Sequence, residues 1–287
     1  MRQPNLSGVK ADGGYRIANR TSNITIESTT EMKPMLVQIW KSRDELEKSV
    51  ANKISETIRS VLQQRSQCRI ALSGGETPKN VYHILGESES KKFLDWNKIH
   101  VFFCDERMVP PEHSSSNFKM IQEEWLSHSS IPPINIHRIL GEIEPASAAQ
   151  KYEQEIRKVF GARPAVFDFI LLGIGEDGHT ASLFPDTDAL TENIQPVKSV
   201  FVQKLNSWRV TLTLPVLNAA HEIIFLVAGK QKSSIVKRVL ESKVPDKSLP
   251  ATLVRPFGGT IFWMINQEAG MLLTEHSSVQ IEQMTNS

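Results

Sequence analysis

The chain has 287 residues, enough for one large or two small domains, and its hydrophobic (40%) and charged (23%) fractions are those of an ordinary globular protein. This composition excludes a disordered, collagen-like or low-complexity chain. The 33 Lys and Arg residues against 32 Asp and Glu give a net charge of +1. Such a balance gives no electrostatic reason to expect a nucleic acid or a membrane surface as partner, although it is compatible with a local basic pocket for a small anion.

The two cysteines, Cys68 and Cys104, lie in apolar runs, which predicts buried reduced thiols rather than a disulfide framework. No stretch approaches about 20 consecutive apolar residues, so no transmembrane helix is predicted. The first residues lack the apolar core of a signal peptide, and we expect a cytoplasmic protein. Residues 1–34 are predicted to be a loose N-terminal extension, and residues 274–287 a polar, frayed tail.

The first predicted elements are a strand at 35–40 and the helix that follows it. Ser42, with Glu45 three residues later, has the pattern of a capping box at the start of a helix. Apolar residues then recur at spacings of three and four, as one face of a helix requires. These residues are Leu46, Val50, Ile54, Ile58 and Val61.

Apolar strands alternate with amphipathic helices along the rest of the chain. Further strands are predicted at 69–72, 100–104, 167–172, 209–214, 222–227 and 260–265, and further helices from about 78, over 117–126, over about 145–160 and from about 232. The alternation indicates a single α/β domain over 35–273, a three-layer, mainly parallel, Rossmann-like sheet with helices on both faces. Ligands of such sheets bind beyond the carboxyl ends of the strands, which singles out the loops after Leu72, Cys104, Leu172 and Val227.

The loop after Leu72 reads LSGGETP and joins a strand to a helix that is predicted to begin at about Pro78. Two glycines let backbone N–H groups approach an anion, and the helix N-terminus adds its partial positive charge. The loop is therefore a candidate phosphate cradle. It lacks the lysine-containing P-loop pattern, and an ordinary strand–helix turn is the alternative.

Ser73 in this loop raises a second alternative, an esterase nucleophile. With His179 and either Asp105 or Asp168, it would form a Ser–Asp–His set in chain order. The nucleophile elbow has the pattern G-x-S-x-G, however, and Ala71 stands at its first position. The sequence therefore argues against this alternative.

The loop after Cys104 begins with Asp105, Glu106 and Arg107, which leave a buried strand together. An arginine at the carboxyl end of a strand is suited to hold a phosphate or to polarise a carbonyl group. The alternative is an internal ion pair between the arginine and one of the acids.

The loop after Leu172, GIGEDGHTASLFP, contains a literal G-x-G-x-x-G, the pattern of dinucleotide-binding turns. Pro185 follows too soon for a crossover helix, and residues 186–200 give no clear second strand that ends in a ribose-binding acid. We favour a loop that presents Asp177 and His179, a general base beside the carboxylate that orients it. A structural histidine is the alternative.

The segment after Val227, AGKQKSS, opens a helix with Lys230 and Lys232 near its N-terminus. Cations at this position oppose the helix dipole unless an anion lies between them. The segment thus indicates a phosphate site, with a solvated pair of lysines as the alternative.

Together these segments resemble the 6-phosphogluconolactonase family, within the superfamily that it shares with glucosamine-6-phosphate deaminase/isomerase. SGGETP, DERMVPPEHSSSN, LLGIGEDGHTASLFP, RVTLTLPVLN and AGKQK stand in the family's order and approximate spacing, over about residues 36–273. The resemblance implies hydrolysis of 6-phospho-D-glucono-1,5-lactone to 6-phosphogluconate in the oxidative pentose phosphate pathway, without metal or cofactor. We expect this sugar-phosphate lactone as the partner of a monomer or homodimer, with no nucleic acid and no membrane.

The resemblance also implies roles for single residues. His179 is the expected base that activates water, with an imidazole near its reference pKa of about 6.5, and Asp177 is expected to orient its ring. Arg107 is expected in the substrate pocket, where it or loop donors would meet the oxyanion, and Lys232 at the phosphate. The other expected substrate and phosphate contacts are Ser73, Gly74, Gly75, Thr77, Asp105 and Arg209.

Some sequence features bear on the alternatives to a lactonase. The sister deaminases have a DEY-like segment where this chain has DER, and they continue the GEDGH loop differently. Asn266 departs from the Asp that is usual in the lactonases, but Asn can also cap a helix. Deamination and isomerisation with Asp105 as the base stays open, as does a non-enzymatic sugar-phosphate sensor, although residues 1–34 show no helix-turn-helix pattern for the DNA-binding segment that a sensor would need.

Overall fold

A computed structural model describes residues 35–87, 94–161, 164–274 and 279–284, and within these residues eleven strands form two sheets. The strands are β1 Met35–Trp40, β2 Cys68–Leu72, β3 Ile99–Phe103, β4 Asp105–Arg107, β5 Ile136–His137, β6 Phe169–Leu172, β7 Val197–Val202, β8 Ser207–Leu212, β9 Glu222–Val227, β10 Thr260–Asn266 and β11 Val279–Gln283. The larger sheet has the order β11-β1-β10-β9-β6-β2-β3-β5, and its neighbouring strands are all parallel. The predicted α/β fold with a mainly parallel sheet is therefore confirmed.

Helices surround this sheet and cover its apolar strands. They are α1 Arg43–Gln64, α2 Glu76–Glu87, α3 Asn117–Glu124, α4 Pro145–Phe160, α5 Leu214–Leu217, α6 Ser233–Leu240 and α7 Gln267–Gly270. All residues of β3 and β6 and most of those of β2 and β9 are buried, as expected of a parallel sheet that is covered on its faces.

The first helix begins as its sequence predicts. The Ser42 hydroxyl accepts a bond from the Glu45 backbone N–H (3.2 Å), and the Glu45 carboxylate accepts one from the Ser42 N–H (3.3 Å), so both bonds of the capping box are present. The predicted apolar face is buried from Leu46 to Ile58, while Val61 is half-buried. This face packs the helix against β1, β2 and β10.

The four strands whose loops carry the motifs are neighbours in the sheet. They lie in the order β9-β6-β2-β3, so the loops that follow them meet at one edge. The rule that ligands bind at the carboxyl ends of parallel strands thus brings four segments, distant in sequence, to one place.

The smaller sheet, β4-β8-β7, is antiparallel, and the sequence did not predict it. The predicted strand at 209–214 lies in this sheet, as β8, rather than in the parallel one. The strand β4 is only three residues long and carries the charged side chains DER, so it lacks a readable apolar alternation. The strand β7 lies in the stretch where no clear strand was predicted.

The structure differs from the prediction at two segment ends. The helix α2 begins at Glu76, two residues before Pro78, which is accommodated in the first turn because N–H groups there have no intrahelical partner. The tail was predicted to be frayed, but β11 pairs with β1 from Met35↔Val279 to Ile39↔Gln283. The predicted loose extension, residues 1–34, lies outside the described residues. No helix in the described part of the chain is long and apolar enough to cross a membrane.

Candidate active site

A cavity of about 450 Å³ lies where the loops after β2, β6 and β9 meet the smaller sheet. It is lined by nine of the ten residues that the resemblance implies for the site: Ser73, Gly74, Gly75, Thr77, Asp105, Arg107, His179, Arg209 and Lys232. The tenth, Asp177, does not line this cavity, but its carboxylate contacts the His179 ring. The structure therefore brings these ten residues together.

The side chain of His179 is held by Asp177. The Asp177 Oδ1 lies 2.5 Å from the imidazole Nδ1 and also accepts a bond from the His179 backbone N–H (3.1 Å). A carboxylate at this distance assigns the ring proton to Nδ1 and leaves Nε2 with a free lone pair. This tautomer is the one that a general base needs.

The tight loop around this pair explains two of its glycines. A Cβ at Gly175 would lie 2.0 Å from the His179 Nδ1, so a side chain there would displace the imidazole. Gly178 has a φ of +82°, a conformation that side chains disfavour, and its N–H closes the turn onto the Gly175 carbonyl (3.0 Å). Two glycines of the G-x-G-x-x-G match, Gly175 and Gly178, thus shape the loop that holds the histidine. The chain continues without the crossover helix of a dinucleotide site.

The imidazole is kept neutral by its surroundings. Burial is the main reason that the pKa of His179 is lowered from 6.5 to about 4. The negative charge of Asp105 opposes this shift. Three positive charges add to it, those of Lys232, Arg209 and Arg107. The expectation of a pKa near 6.5 was therefore wrong for this structure. The Phe184 ring stacks on the imidazole, with centroids 3.9 Å apart, and covers one of its faces.

Arg107 and Asp105 are fixed by Asn117, which the sequence analysis did not single out. The Asn117 Oδ1 accepts a bond from Arg107 Nη1 (2.6 Å), and its Nδ2 donates to the Asp105 carbonyl (2.9 Å) and carboxylate (3.2 Å). Ser182 donates to the other Asp105 carboxylate oxygen (2.6 Å). Glu106 is buried and points away to accept the backbone N–H groups of Asn117 and Phe118 (both 2.8 Å), which anchors α3.

Lys232 enters the cavity from the turn that follows β9. Its ammonium donates to the Ile174 carbonyl (2.9 Å), and burial lowers its pKa, with Glu176 opposing. Asn266 secures this turn, because its Oδ1 accepts from the Gly229 N–H (3.1 Å) and, as the predicted cap of α7, from the Ala269 N–H (3.1 Å). The departure from Asp at this position therefore preserves the cap.

The charges of the cavity favour an anionic ligand. Arg107, Arg209 and Lys232 outnumber the lining carboxylates, Asp105 and Glu76. The N-terminus of α2 lines the same space, where the first backbone N–H groups of a helix have no intrahelical partner and can bind an anion.

The esterase alternative finds no support in this geometry. The Ser73 hydroxyl makes no hydrogen bond to His179 or to another base in the described part of the chain; the Cys104 thiol lies beside it. Asp168 lies at the opposite end of β6, where its carboxylate pairs with Arg65 (2.5 Å). A nucleophile needs its base within hydrogen-bond reach, and Ser73 has none.

Comparison with known proteins places the chain among sugar-phosphate enzymes. Residues 41–263 match the family described as "Glucosamine-6-phosphate isomerases/6-phosphogluconolactonase". A 6-phosphogluconolactonase of Synechocystis is 39% identical over 222 residues, and the match covers 76% of this chain and 89% of the relative. The 6-phosphogluconolactonase of Homo sapiens is 34% identical over 248 residues, and the match covers 84% of this chain and 95% of the relative. The solved 6-phosphogluconolactonase from Trypanosoma cruzi superposes with a TM-score of 0.76 at 28% identity, covering 85% of this chain and 98% of that one.

Proposed function

The chain belongs to the glucosamine-6-phosphate isomerase/6-phosphogluconolactonase family, and from this premise we infer that it is a 6-phosphogluconolactonase. It hydrolyses 6-phospho-D-glucono-1,5-lactone to 6-phosphogluconate, a step of the oxidative pentose phosphate pathway. The observation that carries this inference is a histidine, oriented by a carboxylate, in a cavity with three cations.

The chemistry needs only a base and an anion site. A lactone is an ester, so water that loses a proton to His179 Nε2 can attack the carbonyl carbon directly. Arg107 is suited to stabilise the resulting oxyanion. The tetrahedral intermediate then collapses, the ring C–O bond breaks, and the leaving oxygen takes the proton back from the imidazolium. Asp177 stabilises that imidazolium while it exists.

The 6-phosphate is the second anchor of the substrate in this proposal. Lys232 and the N-terminus of α2, with Ser73, Gly74, Gly75 and Thr77, are suited to hold it, and Arg209 lies close to the same space. The deaminase alternative would need Asp105 as a free base. Its carboxylate instead accepts bonds from Ser182 and Asn117, which favours a positioning role.

The test is pH-stat titration of freshly generated 6-phosphogluconolactone, corrected for spontaneous ring opening, beside ammonia release from glucosamine-6-phosphate. We expect fast acid release from the lactone and no ammonia. Ammonia release with no acceleration of lactone hydrolysis would overturn the proposal. The cytoplasmic location, the monomeric or homodimeric state and the independence from metal stay predictions, to be checked by fractionation, light scattering and chelator treatment.

A further inference from the structure

A groove of about 950 Å³ lies beside the catalytic cavity, and the two share a lining residue, Phe184. Asp177 and Lys204 also line the groove. Lys204 belongs to a short turn, Gln203–Leu205, that joins β7 to β8. The turn therefore carries a cation from the smaller sheet to the back of the catalytic loop.

Lys204 contacts both groups that support the imidazole. Asp177 uses Oδ1 for His179, and its other oxygen, Oδ2, forms an ion pair with the Lys204 ammonium. The same ammonium lies 4.8 Å from the centre of the Phe184 ring, which stacks on His179. One side chain thus touches the carboxylate beside the imidazole and the ring against its face.

We propose that Lys204 is a positioning residue for the lactonase reaction: it fixes Asp177 and Phe184, and through them the direction of the His179 Nε2. The proposal rests on the proposed function, because it assumes that His179 is the base. Lys204 itself contacts neither the catalytic cavity nor the expected substrate.

The physical reason is that a carboxylate held at one oxygen can still turn about its last torsion. The positive charge beside the second oxygen limits this freedom by electrostatic attraction, and the same cation over Phe184 restrains the ring that stacks on the imidazole. Small displacements of a catalytic group are costly, since a misplacement of about 1 Å can lower a rate by about 100-fold. Half of the Lys204 side chain is exposed, so its contribution to folding is small.

Lys204 also affects the charge that the imidazole feels. The charged groups that face His179 are Asp177 from its own loop, Asp105 and Arg107 from β4, Arg209 from β8 and Lys232 from the turn after β9. Without Lys204, the negative charge of Asp177 would be less compensated. The imidazolium would then be more stable, and the histidine would protonate at a higher pH.

The experiment compares Lys204→Met with Lys204→Arg and with the control Lys198→Met. Lys198 lies in β7 of the same hairpin and pairs with Asp188 and Glu192, but it does not touch Asp177. We expect Lys204→Met to lower kcat for the lactone about 10-fold while KM changes less than about 3-fold. The acidic limb of its pH profile should move up by about half a pH unit. Lys204→Arg should keep most of the wild-type kcat and an acidic limb close to that of the wild type. Lys198→Met should resemble the wild type in both measurements.

A second measurement needs no substrate. The NMR titration of the His179 ring, assigned with His179→Asn, should show the same upward shift in Lys204→Met and none in Lys198→Met. Unchanged kcat and an unchanged titration in Lys204→Met would overturn the proposal, as would a loss of activity with no change in either pH measurement. Failure of the proposed function would instead be seen as a wild type that does not accelerate lactone hydrolysis, whatever the state of Lys204.

Discussion

Arg107 and Arg209 stand directly opposite each other in the antiparallel pair of β4 and β8. Like charges in this arrangement destabilise a sheet. Neither guanidinium forms an ion pair with a carboxylate among the described residues; Arg107 donates to Ser115 and Asn117, and Arg209 to Ser207 and Trp208. Burial, followed by the charge of Arg107, lowers the pKa of Arg209. A bound anion would relieve this repulsion, which makes the pair a feature of binding rather than of folding.

Replacing Arg209 by Met should therefore separate stability from function. We expect KM for the phosphorylated lactone to rise about 10- to 100-fold, the loss of one charged hydrogen bond. The free energy of unfolding, measured in urea without ligand, should stay the same or rise by about 0.2–1 kcal/mol, because the like-charge pair is gone. Inorganic phosphate should stabilise the variant less than the wild type. A variant that is clearly less stable than the wild type without ligand would contradict this account.

The low pKa of His179 predicts an unusual acidic limb. The base is active when neutral, and its pKa of about 4 means that it stays neutral well below pH 6.5. The kcat/KM of the wild type should therefore remain high at pH 5–6 and fall only as the pH drops towards about 4, since this ratio reports the free enzyme. Glucono-δ-lactone, without phosphate, is the substrate to use, because a phosphate group itself titrates near pH 6.

Two further measurements test the same assignment. With the phosphorylated lactone bound, the phosphate would offset the three cations of the cavity and so raise the pKa of His179. The acidic limb of kcat for this substrate should therefore lie at a higher pH than the acidic limb of kcat/KM for glucono-δ-lactone. His179→Asn should lower kcat by about 10²–10⁴, the usual contribution of a positioned base. A limb of kcat/KM near pH 6.5 would contradict the low pKa of His179. A folded His179→Asn enzyme with nearly normal kcat would show that His179 is not the base.

Much of this site could be predicted from the sequence because its parts are local. His179 and Asp177 stand two residues apart in one loop, and Lys232 follows a readable apolar strand. A single topological rule then places the ends of neighbouring parallel strands together. No pairing of distant segments had to be known for these residues.

The residues that the sequence analysis missed depend on tertiary contacts that no local pattern reports. Asn117 matters because the chain after β4 folds back, so that it contacts Arg107 and Asp105, ten and twelve residues earlier. Lys204 matters because it reaches Asp177 from the smaller sheet. Lys204 lies in a polar turn, and Phe184 belongs to an apolar cluster that any core would show. Neither Lys204 nor Phe184 belongs to a periodic pattern in the sequence. The pairing of β4 with β8 was also missed, because it joins segments about a hundred residues apart.

The close approach of Gly74 to Asn117 gives a third prediction. A Cβ at Gly74 would lie 1.7 Å from the Asn117 Oδ1, the atom that accepts the bond from Arg107. Asn117 is buried and donates three further hydrogen bonds, so moving it aside would break some of them. Gly74→Ala should lower kcat/KM about 10- to 100-fold by displacing Arg107, and the free energy of unfolding by about 1–3 kcal/mol. Gly258→Ala is the matched control, because a Cβ there meets nothing within 4 Å. Equal behaviour of the two variants would refute the proposed close fit.

Lys232 and Lys230 belong to the same short turn and provide a matched pair for the last prediction. Lys232 lines the cavity and is half-buried, whereas Lys230 is exposed and does not line it. If Lys232 holds the 6-phosphate, its replacement by Ala should raise KM for the phosphorylated lactone about 10- to 100-fold, since a charged hydrogen bond is worth about 1.5–3 kcal/mol. The change in kcat should be much smaller, because an anchor remote from the reacting carbonyl stabilises the bound substrate and the transition state alike.

The decisive comparison uses two substrates and both variants. Glucono-δ-lactone lacks the phosphate, so the wild type should use it poorly, and Lys232→Ala should hardly affect its hydrolysis. Lys230→Ala should leave both substrates unchanged. If Lys232→Ala instead impairs the two lactones equally, the lysine acts on the reacting end of the sugar or on the pKa of His179, whose imidazolium its charge disfavours. The comparison is made well above the acidic limb, because Lys232→Ala also removes a cation that lowers the pKa of His179 and should move that limb upwards for both lactones. An unequal loss on the two lactones at such a pH reports the phosphate contact alone.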